Sequence, residues 1–230
     1  MTKKGVSIVI PVWNEAQNIR VLCTQLASLK GLEYEVIFVD GGSTDNSISL
    51  LQSTPHIRYI SHPKGRAQQL NAGAREARFD WLYFLHVDSL LPPDFAQQLL
   101  SAQSHPRQAA CFRIRFDHPH PLLRLSAALT RIKHLSCRGG DQSLLIHRDF
   151  FSELGGFDPA YSVCEDLKLI QKIYRKGRFK ILPGPLTTQA RRFEQNGVAY
   201  LLFHFGVIQF LFALGVGPQK LKRYYDRFVR

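Results

Sequence analysis

The chain has 230 residues, enough to bury one sizeable core, and its 45% hydrophobic and 21% charged residues are the balance of an ordinary globular protein. Its four cysteines form no Cys-x-x-Cys pair, and its basic start leads into an apolar run only as long as a strand. Neither a structural zinc site nor a signal peptide is therefore expected, and reduced thiols in a cytosolic compartment fit these features.

Strands and helices alternate over the first hundred residues. Apolar β-branched runs predict strands buried on both faces, and apolar residues at helical spacing predict the helices between them. The predicted strands cover residues 6–12, 34–40, 57–60 and 80–88, and the predicted helices cover residues 14–29, 46–52, 65–77 and 92–102. Asn14 and Gln17 resemble a capping box at the start of the first helix. This alternation predicts an α/β fold with a parallel sheet.

After residue 105 the alternation is less regular. Strands are predicted over residues 110–116 and 178–183, and a glycine turn with a short strand and a short helix over residues 139–157. A helix over residues 165–176 begins with acids, ends with basic residues and stops at Gly177. We expect this half to complete a site that the first half begins.

The C-terminal segment combines an apolar run with most of the net charge of +12, since residues 167–230 contain thirteen Lys or Arg and two acids. Residues 198–216 are long enough to span a bilayer, but their polar residues and glycines and the basic end that follows disfavour a span. A helix in the membrane surface, a dimer interface or packing on the core remain open. Residues 218–230 resemble a basic amphipathic helix for anionic lipid. The apolar run beside it favours a membrane, so no nucleic-acid partner is predicted.

Polar residues follow three of the predicted strands at their carboxyl ends: Asn14-Glu15, Asp40 and Asp88. The carboxyl ends of parallel strands lie at one edge of a sheet, where proteins of this class bind ligands. The three clusters are therefore expected to converge on one crevice.

Each cluster also has a purely structural interpretation. Asp40 either opens a strand-to-helix turn or contacts a base or ribose. Asp88 is either a turn former or a ligand that holds Mg²⁺ or Mn²⁺ against a diphosphate. His86, on the same side of an extended strand as Asp88, is either a partly buried histidine or a second ligand. No G-x-G-x-x-G follows the first strand and no G-x-x-x-x-G-K-[ST] occurs, which disfavours a dinucleotide fold and a P-loop.

Two further groups are ambiguous in the same way. Glu165 and Asp166 either favour the N-terminus of their helix or supply a general base for an attacking hydroxyl. Lys64, Arg66 and the pair at 191–192 are either solvated or reach phosphates.

Several segments of the chain resemble those of family 2 glycosyltransferases. The resemblance lies in the order in which the segments occur and not in any single segment. The matching segments, which span roughly residues 6 to 180, are SIVIPVWNEAQNI, VIFVDGGSTDNS, GRAQQLNAG, YFLHVDSLLPPDF, LGGFD and CEDLKLIQKI. The LHVD, GGDQ and ARRFEQNGV variants resemble a small bacterial subgroup. The resemblance implies a GT-A fold: a mostly parallel sheet flanked by helices, here followed by a hydrophobic and basic helical extension.

The resemblance also implies a function. A sugar would pass from a UDP- or GDP-sugar to an unidentified acceptor that could be lipid-linked, with inversion and with a divalent metal, Mn²⁺ or Mg²⁺. The resemblance implies that the nucleotide is bound by Pro11, Glu15, Asp40, Gly42, Arg66 and Asp88. Asp88 would also bind the metal, with His86 as a further candidate, and Asp166 would act as the general base, with Glu165 orienting it or the acceptor. The donor sugar or the acceptor would be contacted by Gly139, Gly140, Asp141 and Gln142.

The same resemblance divides the chain. Residues 1–190 would form the transferase domain, with a nucleotide-binding half to about residue 105 and an acceptor and catalytic half over 106–190. Residues 191–230 would form an extension that contacts a membrane or a second copy, which would place the protein at the inner face of the cell membrane.

Two departures from the family pattern matter. His86 stands where the first acid of an Asp-x-Asp motif is usual, and the full Q-x-x-R-W element of processive members is absent, which predicts a single transfer. Two other functions stay open: a nucleotidyltransferase, although its glycine- and lysine-rich triphosphate loop is missing, and a non-catalytic protein that binds lipid or nucleic acid through the basic tail.

Overall fold

A computed structural model describes residues 5–229, with Gly140 by its backbone alone. Seven strands within this range form a single sheet: β1 Val6–Val12, β2 Tyr34–Asp40, β3 Ile57–Ser61, β4 Trp81–Phe84, β5 Gln108–Phe116, β6 Leu144–His147 and β7 Arg178–Thr188. The α-helices are α1 Ala16–Ala27, α2 Ser47–Ser53, α3 Arg66–Glu76, α4 Phe95–Ala102, α5 Pro121–Leu129, α6 Arg148–Glu153, α7 Glu165–Lys176, α8 Arg191–Asn196, α9 Val198–Ala213 and α10 Pro218–Phe228.

The strand order is β3-β2-β1-β4-β6-β5-β7. The first four strands are mutually parallel, β6 runs antiparallel to both β4 and β5, and β7 is parallel to β5. The predicted mostly parallel sheet is therefore confirmed. The second half of the chain continues the same sheet through β5, β6 and β7.

The central strands are buried because successive side chains point to opposite faces and both faces are covered. Ile8 and Ile10 pack into one apolar cluster with α1 and α4, and Val9 packs into a second cluster with α3 and α7. Helix α3 lies very close to the sheet: a Cβ added to Gly73 would come within 2.3 Å of Val9 Cγ1. The absence of a side chain at Gly73 thus permits the close packing of α3 on β1 and β2.

Two local predictions are wrong. Asn14 and Gln17 form no capping box, because α1 begins after Glu15, and the Asn14 side chain instead accepts a hydrogen bond from Thr44 N at 2.8 Å. The fourth strand ends at Phe84, so His86 lies in the loop beyond it and the strand alternation that related it to Asp88 does not apply. An apolar run shows that a segment is buried, but hydrogen bonding to neighbours decides where its strand ends.

The reversed direction of β6 matters for the site. Leu144 pairs with Phe84, so the residues before β6 meet the residues after β4 at one edge. Because β5 and β7 are antiparallel to β6, their carboxyl ends lie at that edge as well. The segments that start α5 and α8 therefore join those that follow β1 to β4.

Helices α8 to α10 share a third apolar cluster with α5 and α7, and its buried members include Leu123, Leu167, Leu201, Ile208 and Leu221. Packing on the core thus accounts for one side of α9. Its other side is open, with Phe203 and Phe210 more than 60% exposed. None of the helices in residues 5–229 is both long and apolar enough to traverse a bilayer. Arg230 lies outside the described residues.

Candidate active site

A cavity of about 760 Å³ lies at the carboxyl edge of the sheet. It collects charged side chains from six separate segments of the chain. Its polar lining includes Glu15, Arg66, His86, Asp88, Gly139, Asp141, Gln142, Glu165, Asp166, Arg191 and Arg192. The structure therefore brings together most of the residues that the sequence analysis singled out, although they are spread over 178 positions.

Three predicted nucleotide-site residues lie apart from this lining. Asp40 is 1% exposed, and its carboxylate accepts hydrogen bonds from Gly42 N at 2.9 Å and from Ser43 N. Gly42 has a φ of +83°, which favours glycine. Asp40 thus closes the turn that follows β2, as its structural interpretation proposed. Pro11 lines a separate small cavity of about 20 Å³, which Arg66, His86 and Asp166 also line.

Glu15 is held from several sides. Its backbone N–H donates to Ser47 Oγ at 2.9 Å, and its carboxylate accepts from Asn18 Nδ2 at 2.6 Å. Asn18 in turn accepts from Gln189 Nε2 at 2.8 Å. This chain of hydrogen bonds fixes the Glu15 carboxylate and connects α1 to the end of β7.

Arg66, the first residue of α3, reaches across the cavity to α7. Its Nε lies 3.2 Å from Glu165 Oε1, and its guanidinium contacts the His86 ring. Burial raises the pKa of Glu165, and the positive charge of Arg66 opposes that rise. The Glu165 side chain is only 5% exposed, and the ion pair with Arg66 favours its charged form against the cost of burial.

Asp88 and Asp141 form the acidic centre. Burial, followed by repulsion from Glu15, raises the pKa of Asp88. The Asp141 side chain is 52% open to the cavity, yet desolvation by the surrounding protein, followed by repulsion from Asp88, raises its pKa to about 6. His86 Nδ1 is 4.0 Å from Asp141 Oδ1. Two neighbouring carboxyl groups repel each other when both are ionised, so a bound cation would stabilise their charged forms.

This donor set fits a divalent metal of a particular kind. Among residues 5–229, no group of three or more His, Cys, Asp and Glu side chains is arranged to hold a metal ion. Mg²⁺ and Mn²⁺, however, are commonly bound by one or two carboxylates together with the phosphates of a substrate. Asp88 and Asp141 supply two hard oxygen ligands, and His86 lies beside them. The residues present therefore suit an ion that binds together with a diphosphate.

Asp166 lies in the first turn of α7, half-buried, and lines the cavity. Cys164, two residues before Asp166, has a φ of +65°, a backbone conformation that is unfavourable for residues other than glycine. Asn14 and Ser143 share this feature, so three of the four non-glycine residues with positive φ in residues 5–229 adjoin the cavity segments. The backbone is held under strain where it presents Glu15, Gln142 and Asp166.

Arg138 is a residue that sequence reasoning missed. It is 1% exposed, and its guanidinium donates to Gln142 Oε1 at 2.6 Å, to Cys111 Sγ at 3.0 Å and to Thr130 O at 2.7 Å. It thereby ties the end of α5 to the short 3-10 helix Gly140–Gln142. A single arginine before two glycines carries no signal in the sequence that would mark it as buried.

The two arginines at 191–192, which the sequence left ambiguous, line the cavity from the start of α8. Their charges act on the acidic centre: Arg191 lowers the pKa of Asp88, and Arg192 lowers that of Asp141, each as a smaller effect than burial. Arg192 also lies over the Tyr225 ring at 5.7 Å. Both cations are therefore available to a negatively charged ligand.

The sequence profile of glycosyl transferase family 2 matches residues 7–147 of this chain. The protein belongs to glycosyl transferase family 2. The matched range begins at the second residue of β1 and runs to the end of β6, so β7 is the one strand of the described sheet that lies beyond it. The resemblance stated from the sequence is confirmed at the level of the family.

Two curated relatives of this family 2 protein show how far the similarity extends. An uncharacterized glycosyltransferase of Haemophilus influenzae is 24% identical over 185 residues, which cover 75% of this chain and 63% of the relative. An undecaprenyl-phosphate 4-deoxy-4-formamido-L-arabinose transferase of Proteus mirabilis is 33% identical over 106 residues, which cover 42% of this chain and 32% of that protein. The chain thus spans less than two thirds of the length of either relative.

Among solved structures, a mannosyltransferase from Pyrobaculum calidifontis in complex with GDP-Man and Mn²⁺ has the same fold. The TM-score is 0.68 at 20% sequence identity, and the match covers 100% of this chain and 69% of that chain. The seven-stranded α/β architecture is therefore that of GT-A glycosyltransferases, which confirms the predicted fold class.

Proposed function

We propose that the protein transfers a sugar from a nucleotide-sugar donor, with UDP or GDP as the carrier, to a hydroxyl group of an acceptor. The observation that carries this proposal is that Asp88, Asp141 and Asp166 line one cavity together with four arginines, in a protein of family 2. The solved mannosyltransferase, with its GDP-Man and Mn²⁺, supports the donor class and the metal.

The reaction needs two kinds of group, and the cavity contains both. The acceptor oxygen forms a bond to the anomeric carbon, and the bond from that carbon to the diphosphate oxygen breaks, with its electron pair leaving on the nucleoside diphosphate. Asp166 takes the proton of the hydroxyl as general base, and Glu165, fixed by Arg66 at 3.2 Å, orients it or the acceptor. In-line displacement of this kind inverts the anomeric centre.

The leaving diphosphate requires positive charge. Arg66, Arg191 and Arg192 supply it from the protein side. A bound Mn²⁺ or Mg²⁺ would neutralise the remaining charge on the diphosphate, with Asp88 and Asp141 as its protein ligands and His86 as a further candidate.

The remaining roles follow the family pattern. Pro11, Glu15, Asp40 and Gly42 would form the nucleoside pocket, with Asp40 acting through the turn that it closes. Gly139 to Gln142, which Arg138 holds in place, would face the donor sugar or the acceptor. We propose a single transfer per acceptor, since the complete element of processive members is absent from the sequence.

We also propose a location and a division of the chain. Residues 1–190 form the transferase domain with the acids of the site, and residues 191–230 form an extension that adds Arg191 and Arg192 to the site and whose exposed apolar side and basic α10 contact the inner face of the cell membrane or a second copy. The named relative that acts on an undecaprenyl phosphate supports a lipid-linked acceptor for this protein.

The proposed function can be tested by thermal shift with a panel of UDP- and GDP-sugars, with and without Mn²⁺. A donor that binds the folded state raises the melting temperature by mass action, and we expect a rise that is larger with Mn²⁺. Turnover of that donor to free UDP or GDP should then fall by about 10²–10⁴-fold in Asp166→Asn, because a general base contributes about this much. Donor binding should survive in Asp166→Asn and weaken in Asp88→Ala.

Glu33→Gln, a change at an exposed acid away from the cavity, is the matched control. Full turnover in both Asp88→Ala and Asp166→Asn would contradict the assigned roles. Release of pyrophosphate from a nucleoside triphosphate would instead identify a nucleotidyltransferase, and the absence of any donor effect would favour a binding protein.

A further inference from the structure

The cavity is larger than the acidic centre requires, because it continues as an apolar groove between α5 and α9. Leu122, Leu125 and Leu129 line it from α5, and Leu202 and Phe205 line it from α9. Both sets have the spacing of a single helix face, at i, i+3 and i+7 on α5 and at i and i+3 on α9. Two apolar helix faces therefore border the cavity that contains Asp166.

The α5 side of this groove is open in the structure. Leu122, Leu125 and Leu129 are 40%, 58% and 44% exposed, whereas Leu123, on the opposite side of α5, is fully buried. Large apolar side chains that line a cavity and stay this exposed indicate a surface that a ligand covers.

Gly206 leaves room on the α9 side. A Cβ added to it would meet no atom within 4 Å, although Gly206 lines the same cavity. No other side chain of the described residues therefore packs against Gly206 at this position. The free space beside Gly206 continues the groove along α9.

The two C-terminal helices also present an apolar and basic surface. Phe210 on α9 and Leu214, which follows α9, are 63% and 65% exposed. Helix α10, which packs against α9, carries the exposed basic residues Lys220, Lys222, Arg223 and Arg227. Such a surface suits the boundary between the acyl chains and the anionic head groups of a membrane. Helix α9 thus contributes side chains both to this surface and to the groove.

We propose that the groove between α5 and α9 binds the apolar chain of an amphiphilic acceptor, whose polar head places its hydroxyl at Asp166. This inference rests on the proposed transferase function and specifies its acceptor class as a lipid. The continuity of the groove with the acidic centre decides in favour of an acceptor, because a ligand with its chain on α5 and α9 has its head beside Asp141 and Asp166.

The test uses an uncharged amphiphile, so that the basic surface of α10 cannot hold it by charge. Octyl β-D-glucoside below its micelle concentration and methyl β-D-glucoside have the same head and differ only in the chain. We expect isothermal titration calorimetry to show binding of the octyl compound at least tenfold tighter than that of the methyl compound, since burial of each CH₂ favours binding.

Two pairs of variants locate the bound chain. Gly206→Leu fills the groove and should weaken octyl glucoside binding at least tenfold, whereas Ala213→Leu makes a similar enlargement on an exposed part of α9 outside the cavity and should leave binding within twofold. Leu125→Gln should also weaken binding, and Leu100→Gln, a change at an equally exposed leucine on α4, should not. Equal binding by Gly206→Leu and Ala213→Leu, or equal binding of the two glucosides, would overturn the proposal.

Two further measurements separate the alternatives. The thermal shift by a nucleotide-sugar should be the same in Gly206→Leu as in the unaltered protein, so loss of octyl glucoside binding with a retained donor shift supports the groove as the acceptor site. A donor shift that is absent from the start refutes the proposed function and not the groove. Sedimentation equilibrium that shows a dimer in the unaltered protein and a monomer in Gly206→Leu would assign the groove to a second copy and overturn the lipid proposal.

Discussion

At the scale of single residues, ionisation of the acidic centre destabilises the folded state. The pKa of Asp141 is raised from 3.8 to about 6, first by desolvation and then by repulsion from Asp88, so the folded state binds this proton more tightly than the unfolded state does. Stability that is present below about pH 4 is therefore lost as the pH rises through about 6. Sites that bind charged ligands commonly have this cost.

Asp141→Asn tests this cost. In metal-free buffer the variant should match the unaltered protein below about pH 3, where the carboxyl is protonated in both the folded and the unfolded state, and should be more stable above about pH 6. Urea unfolding at several pH values measures the difference in the free energy of unfolding. Glu33→Gln, at an exposed acid, should show no such divergence. A variant that is less stable than the unaltered protein at pH 8 would contradict the prediction.

His86 is the residue where the cavity departs from the family pattern. It contacts Arg66 and lies 4.0 Å from Asp141 Oδ1. We expect the protein to prefer Mn²⁺ over Mg²⁺, because an imidazole nitrogen suits Mn²⁺ better than it suits Mg²⁺, and we expect His86→Asp to shift the preference toward Mg²⁺.

Calorimetric titration of Mn²⁺ and Mg²⁺ in the presence of UDP or GDP checks the metal preference. His86→Asn, which adds a neutral oxygen, separates the effect of the ligand atom from the effect of charge. Identical metal profiles for the unaltered protein and His86→Asp would show that His86 does not tune the ion.

The sequence placed Glu15, Asp88 and Asp166 at the cavity because acids that follow the ends of several parallel strands, or begin a helix beside them, are expected to meet at one edge of the sheet. It could not assign Asp40, whose two interpretations differ only in what its carboxylate bonds to. It could not find Arg138 either, since burial of a charged residue depends on acceptors such as Thr130 O and Gln142 that only the folded chain brings near.

At the scale of secondary structure elements, Arg138 holds the connection between α5 and β6. Removal of its guanidinium in Arg138→Met would leave the carbonyl of Thr130 without this donor and Gln142 Oε1 with only the weak donor Cys111 Sγ, which lies 3.3 Å away. Each unsatisfied buried acceptor costs about 1–3 kcal/mol, so we expect a loss of roughly 3 kcal/mol in the free energy of unfolding. Donor binding should weaken as well, because Asp141 lies in the segment that Arg138 fixes.

Urea denaturation and donor titration of Arg138→Met measure these two effects. Arg131→Met, at an exposed arginine in the same connection, is the control and should change stability by only a few tenths of a kcal/mol. An Arg138→Met variant as stable as Arg131→Met would show that the buried hydrogen bonds contribute nothing net.

The elements themselves were predicted well where hydrophobic periodicity was strong. Strands β1 and β2 and helix α7 lie where the sequence placed them, because apolar runs and helical spacing report burial directly. Strand β4 is shorter than its apolar run: Leu85 and Val87 are buried beyond its end at Phe84. Burial and strand pairing are separate properties, and the sequence pattern reports only the first.

At the scale of the whole molecule, α9 has an exposed apolar side and the neighbouring α10 has exposed basic residues. We expect the protein to sediment with vesicles rich in phosphatidylserine at low salt and to be released at high salt, since such attraction is screened. Each Lys or Arg near an anionic surface contributes about 1 kcal/mol. Replacement of Lys220, Lys222, Arg223 and Arg227 by Gln should therefore weaken binding by roughly a hundredfold or more.

Vesicles of phosphatidylcholine alone are the lipid control, and replacement of Arg75, Arg78, Arg107 and Lys180 by Gln is the protein control, because these cations lie on other elements of the fold. Equal loss of vesicle binding in both fourfold variants would show that net charge acts without any particular surface. Binding that does not respond to salt would contradict an electrostatic contact.

The sequence by itself determined the α/β class and the family, because burial patterns and the order of polar clusters along the chain are local properties. The tertiary structure alone decided that Arg191 and Arg192 face the acidic centre, that Asp40 closes a turn, and that α5 and α9 form a groove leading to Asp166. These depend on contacts between distant segments: the reversal of β6 brings the ends of β5 and β7 to the edge where β1 to β4 end. No local pattern specifies such a reversal.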